Sequence, residues 1–148
     1  MWVPFRVEAK PTFRRDILPY GNRWLDAYDG GRQKVVSGIE VGMKSKSHER
    51  GWKAKAEIER LMIDAGDGAR GIIRIGWTAS KGHVFNVRND AGNVVFYDAQ
   101  NGREDASYYF RRAFTGVHVD GRKGLDFLRT DNLPVSSRIG EFVKPKSS

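Results

Sequence analysis

Apolar and polar positions sort most clearly into runs between Gly82 and Gly102, in GHVFNVRNDAGNVVFYDAQNG. Two β-leaning runs, 84–87 and 94–97, flank a polar segment with Asp90, Gly92 and Asn93, which is the pattern of a β-hairpin. The clearest helix is expected over 51–65. There Trp52, Ala56, Ile58, Leu61, Met62 and Ala65 give an apolar stripe near helical period, and Gly66 is the stop signal. A turn over 68–71 leads into a buried strand at 72–77, and 78–81 links that strand to the hairpin. A second helix is expected over 104–114, carrying Tyr108, Tyr109, Phe110 and Phe114 as core residues. Short strands follow at 117–119 and 125–129. Upstream, 2–7 and 12–18 read as edge strands or an extended arm broken by Pro4 and Pro11. A short helix over 23–28 is capped by Asn22 and ended by Gly30 and Gly31. An apolar piece at 35–41 reads as a strand and 43–50 as a charged loop. The layout is α+β, with an N-terminal helical part packed on an antiparallel sheet. Residues 1–142 read as one domain and 143–148 as a disordered tail.

The hairpin brings chemistry with it. Opposed positions in an antiparallel pair have a constant index sum, so if Asn89 faces Gly92 then His83 falls opposite Asp98. Opposed residues share a face with Cβ atoms roughly 4.5–5.5 Å apart. A bulge at Gly92 would shift that register by one. The pair suits the base–orienter half of a nucleophilic triad, the carboxylate fixing the imidazole tautomer while the imidazole activates a nucleophile. The plain alternative is a surface or capping pair at two strand ends. Gln100, two residues past Asp98, carries an amide able to donate to a developing oxyanion or simply to hold a turn.

Composition narrows the classes. The chain has 148 residues, is 39% hydrophobic, and holds four Trp and eight Phe, as expected of a folded domain. No apolar run approaches the roughly 20 residues that span a bilayer, so no membrane association is expected. The net charge of +8, from 26 basic and 18 acidic residues, favours anionic partners. The basic residues are scattered rather than blocked, which makes nucleic acid the lesser alternative to an acidic protein surface. There is no cysteine, hence no disulfide, thiolate metal site or thiol nucleophile. His48 lies in the charged stretch and reads as solvated. His118 and Asp120 in VHVD are too few to hold a metal. GxxxxGK with Ser or Thr, HExxH and GxSxG are absent, no GxGxxG follows a strand, and no cofactor is expected.

The helix end IERLMIDAGDGARGI, the strand IIRIGW and above all the GHVFNVRN–DAGN–VVFYDAQNG hairpin resemble the papain-fold toxin domains of bacterial polymorphic toxins, of the glutamine-deamidase type. DFLRTD at 126–131 resembles the family's closing strand. The resemblance covers roughly the last two-thirds of the chain and is poor before Gly51. It implies a papain-like fold and a Cys-His-Asp triad in which a thiolate attacks a glutamine carboxamide of a target protein. Ammonia then leaves and water releases glutamate. By motif, His83 is the general base, Asp98 its orienter, and Gln100 part of the site loop. The family's nucleophilic Cys stands near the start of an N-terminal helix, usually after an Asn. Here Asn22-Arg23 is the best match, which places Arg23 where the thiol would be. Arginine has no nucleophilic atom and stays charged at any ordinary pH. Ser37, Ser45 and Ser47 are hydroxyls, but none sits at a recognisable helix start.

Three functions follow as expectations. The first is a papain-fold pseudoenzyme that binds a protein target, with a cognate inhibitor protein as a further partner. The second is an active hydrolase of side-chain amides whose nucleophile is a serine or lies outside this chain. The third is a basic nucleic-acid-directed toxin. The chain is expected to be cytoplasmic, or delivered into a target cell as part of a larger toxin.

Overall fold

The computed structural model describes residues 23–36, 47–76, 82–99, 102–111 and 125–137. A 3-10 turn, η1 (Arg23–Ala27), and a four-residue helix, α1 (Gly31–Lys34), precede the long helix α2 (Ser47–Ala65). Among the described residues four strands follow: β1 (Arg70–Gly76), β2 (Gly82–Asp90), β3 (Asn93–Tyr97) and β4 (Leu125–Arg129). A second 3-10 turn, η2 (Ser107–Arg111), lies between β3 and β4. The sheet is wholly antiparallel in the order β3-β2-β1-β4. Helix and antiparallel sheet together make the α+β class expected from the pattern.

One face of the sheet carries Ile73, Ile75, Phe85, Val87, Phe96, Leu125 and Phe127. All of these are buried in one cluster with Ala54, Ile58 and Met62 of α2 and Tyr109 and Phe110 of η2. Ala54, Ile58 and Met62 recur every four residues, so they form one stripe along the helix. Ile58 and Met62 of the expected stripe lie on it, with Leu61 and Ala65 packed against the same core, whereas Ala56 is exposed and Trp52 is 41% exposed. Trp52 lies between two cations instead, with Lys55 Nζ 5.8 Å and the Arg111 guanidinium 5.6 Å from its rings.

The helix also starts earlier than expected, at Ser47 rather than Gly51. Gly51 is an interior contact. A Cβ built there would collide with the carbonyl of Phe110, so only glycine lets α2 and η2 approach this closely. The expected helix over 104–114 is, in the described residues, the short 3-10 turn of η2. Asp105, two residues before this turn, accepts the Ser107 N–H through its carboxylate at 3.0 Å.

The opposite face carries Ile72 and Leu128, both buried, and the N-terminal part covers it near β4. The Cβ direction of Gly31 points to within 3.5 Å of Leu128, and Leu25, Ala27 and Tyr28 are buried there. Backbone bonds tie this part down: Val36 and Phe127 exchange hydrogen bonds at 2.8 and 2.9 Å, and Ser136 donates to Ala27 O at 2.9 Å. The apolar piece at 35–41 thus contributes one bridge, at Val36; 37–41 lie outside the described residues. So do the expected arm at 2–18, the strand at 117–119 and the tail.

Candidate functional site

The hairpin that should join His83 to Asp98 forms with a different register. Asp90 pairs with Asn93, Asn89 with Val94 and Asn86 with Tyr97, two steps away from the pairing that sets Asn89 against Gly92. The turn is therefore Ala91-Gly92, with φ of 52° and 92°. Positive φ at both central positions twists the chain as a two-residue hairpin requires. Side chains hold it there. Asn89 folds over the turn, its Oδ1 accepting the Gly92 N–H at 2.7 Å while its Nδ2 donates to Met62 O, at the end of α2, at 2.9 Å. Asp67 accepts the Ala91 N–H at 2.7 Å.

A two-step shift preserves the face on which each side chain sits. His83 and Asp98 are therefore diagonal neighbours instead of opposed ones, and both project to the side packed by α2 and η2. The hydrogen bond still forms, at 2.6 Å between His83 Nε2 and Asp98 Oδ2. A diagonal pair is within reach because the imidazole supplies the missing length. Beyond β3 the chain turns sharply. Asp98 and Arg103 exchange backbone hydrogen bonds at 2.8 and 3.1 Å, and Ala99 N donates to Asn86 Oδ1 at 3.4 Å. The Asp98 backbone is thus anchored on both sides of its side chain.

Asp98 is 1% exposed, whereas the His83 side chain keeps 23% of its surface in solvent. A buried carboxylate needs donors to offset its desolvation. One is the imidazole; another is the Tyr109 hydroxyl, which donates to the same Oδ2 at 2.6 Å. The Tyr109 ring also stands edge-on to His83, with centroids 5.2 Å apart and planes at 77°. Sequence reasoning placed Tyr109 in the core and missed this contact. The available signal was its type, because a buried tyrosine hydroxyl needs a hydrogen-bond partner that phenylalanine does not.

The donor in this bond depends on the tautomer: against an ionised carboxylate, which only accepts, the shared proton belongs on Nε2. Such a pair can orient an imidazole and stabilise the imidazolium that forms when it takes a proton. A second buried carboxylate, Asp126, lies on the opposite face of the sheet, 3.4 Å from Arg74, and takes no part in this cluster. Among the described residues no group of three His, Cys, Asp or Glu side chains converges as a metal site would.

Gln100 lies outside the described residues, as do His118 and Asp120. Arg23 opens η1, and its side chain lies outside the described set, as does that of His48. Of the sequence-derived site residues, the structure thus joins His83 and Asp98, and it adds Tyr109. Among the described residues no helix is long and apolar enough to cross a membrane.

Comparison with curated proteins and with solved structures returns no match. A family model, papain fold toxin 1, glutamine deamidase, matches residues 7–103. The match reaches much further toward the N-terminus than the sequence resemblance did, and it stops short of DFLRTD and of Tyr109. It spans the long helix, the central strand and the whole hairpin with both His83 and Asp98. On that match, over well more than half its length, the chain belongs to the papain fold toxin 1, glutamine deamidase family.

Proposed function

We propose that this domain binds a protein target through the surface around His83 and does not turn it over. The observation that carries this reading is joint: a member of a deamidase family contains no cysteine, while an imidazole and a buried carboxylate stay hydrogen-bonded at 2.6 Å. Deamidation of glutamine by this route needs a thiolate to attack the carboxamide carbon. The imidazole can take a proton, but it needs a nucleophile to take it from. His83 is the residual base, Asp98 its orienter, Gln100 the amide of the site loop, and Arg23 the residue standing where the sulfur would be. Residues 1–142 act as one domain. The net charge of +8 favours a target with an acidic surface, and a cognate inhibitor protein would use the same complementarity. Delivery into a target cell within a larger toxin is the setting that the family suggests.

The hydrogen-bonded pair also favours a second reading, an active amide hydrolase whose nucleophile is a hydroxyl or stands outside these 148 residues. The two separate in an ammonia-release assay on glutamine-bearing protein. The binding reading expects no ammonia above background from the intact chain. It also expects a stoichiometric protein retained in about 0.15 M salt. Ammonia release abolished by His83→Ala would establish the hydrolase instead. Capture of salt-labile polyanions alone, with affinity falling steeply as salt rises, would replace both with a nucleic-acid role.

A further inference from the structure

We propose that Tyr109 is a positioning residue that locks the His83 imidazole in one tautomer by holding the Asp98 carboxylate. The proposal rests on reading His83 and Asp98 as the remnant base–orienter pair, and it goes beyond that reading by adding a residue outside the family match.

Both donors meet a single oxygen. His83 Nε2 and the Tyr109 hydroxyl each lie 2.6 Å from Asp98 Oδ2. The final torsion of an aspartate side chain is broad and roughly two-fold. Two donors on one oxygen restrain it together, because turning the carboxylate breaks both bonds at once. The environment sharpens the effect. Asp98 is 1% and Tyr109 4% exposed, and in such surroundings a lost partner costs more than it would in water.

The hydroxyl is itself held from two directions. The Tyr109 ring packs edge-on against His83 at 5.2 Å and against Phe85 at 5.0 Å. At the base of η2, Gly51 admits the Phe110 carbonyl against α2. The hydroxyl is therefore aimed by the fold, and Asp98 is aimed by the hydroxyl. His83, the most exposed of the three, is aligned last.

The test is long-range proton–nitrogen NMR on the imidazole rings of the whole chain at neutral pH. The wild-type chain should show His83 as the Nε2–H form. In Tyr109→Phe, which keeps the ring, the share of the Nδ1–H form should rise at least about tenfold, the scale of one net hydrogen bond to a charged group. A folded Tyr109→Phe chain with the wild-type tautomer ratio overturns the proposal. If that variant does not fold, fluorotyrosine incorporation keeps both ring and hydroxyl while making the hydroxyl a stronger donor. The His83 Nε2 proton signal should then move, and a stationary signal overturns the proposal. Asp98→Ala separates the two levels of the argument. A tautomer change there without one in Tyr109→Phe removes only the role of Tyr109. No change in either removes the base–orienter pair as well.

Discussion

Gly51→Ala should destabilise the domain, although alanine is the better helix former. Gly51 lies in the interior of α2, where replacing glycine by alanine ordinarily gains about 1 kcal/mol. Here a Cβ would overlap the carbonyl oxygen of Phe110 and bring the carbonyl carbon to 2.6 Å. The obstacle is backbone, so no rotamer change relieves it. Phe110 cannot retreat, being fully buried with its ring edge-on to Phe85 at 5.6 Å and Phe96 at 5.0 Å. Overpacking of this kind costs up to about 3 kcal/mol, which leaves a net loss of about 2 kcal/mol after the propensity gain. For a chain of this size that is a fall in Tm of about 4–8 °C. Urea unfolding followed by far-UV circular dichroism measures it. Ala56→Gly, at an exposed position of the same helix, supplies the propensity term separately and should cost about 1 kcal/mol. A Gly51→Ala chain as stable as the wild type, or more so, would refute the close approach of α2 to η2.

Other expectations follow from the same geometry. Trp52→Ala should cost about 1–3 kcal/mol, because the ring, 41% exposed, loses its covered surface along with its two cation contacts. Ile58→Ala, in the fully buried stripe, should cost about 2–5 kcal/mol by the same denaturation assay. Ala91→Asn should raise stability by about 0.5–1 kcal/mol, because Ala91 has φ of 52° and asparagine tolerates that conformation better; a lower denaturation midpoint would contradict the turn. Asp131 gives the pH dependence. Burial pushes its carboxyl up, but the Arg129 guanidinium and the Arg70 N–H outweigh burial and hold it below the ordinary value. A depressed folded value contributes stability that is fully present above the unfolded value, near pH 4, and is lost as the pH falls through the folded one. Urea midpoints taken downward from about pH 5 should therefore fall less steeply in Asp131→Asn than in the wild type.

The strands were legible because alternation and turn residues report directly on a half-buried sheet. Phe85, Val87 and Phe96 had to share a face once 84–87 and 94–97 were read as a hairpin. The register was less legible. Asn89 was rightly drawn to Gly92, but through its side chain, whose Oδ1 accepts the glycine N–H. Read as backbone pairing, the same attraction displaces the ladder by two. On α2, where Ile58, Met62, Leu61 and Ala65 fall in or against the core, Trp52 and Ala56 were misplaced for a related reason. Trp52 is large and apolar, so it weighs heavily in any stripe, whereas Gly51 carries no hydrophobic signal and marks the buried side by its lack of a side chain. Tyr109 was hidden by its setting in YYF, where core packing accounts for the aromatic rings and leaves the hydroxyl unexplained. No periodicity shows that a residue on one 3-10 turn will meet a carboxylate at the end of a distant strand.

The hydrogen-bonded cluster is not by itself an argument for catalysis. Asp98 links the end of the hairpin to η2 through Tyr109, and η2 in turn packs on α2 through Gly51. Removing the carboxylate would leave the buried Tyr109 hydroxyl without this acceptor, a cost of about 1–3 kcal/mol. A domain that had lost its thiol would thus still be held to Asp98 and Tyr109 by stability alone. His83 stands differently. It is partly exposed, and the carboxylate keeps the Tyr109 hydroxyl as a donor without it, so folding constrains it least of the three. At His83, therefore, function and architecture separate. If His83→Ala leaves stability nearly unchanged yet abolishes target binding, the imidazole serves recognition. If stability and binding are both untouched, the surface around His83 is not where the target sits.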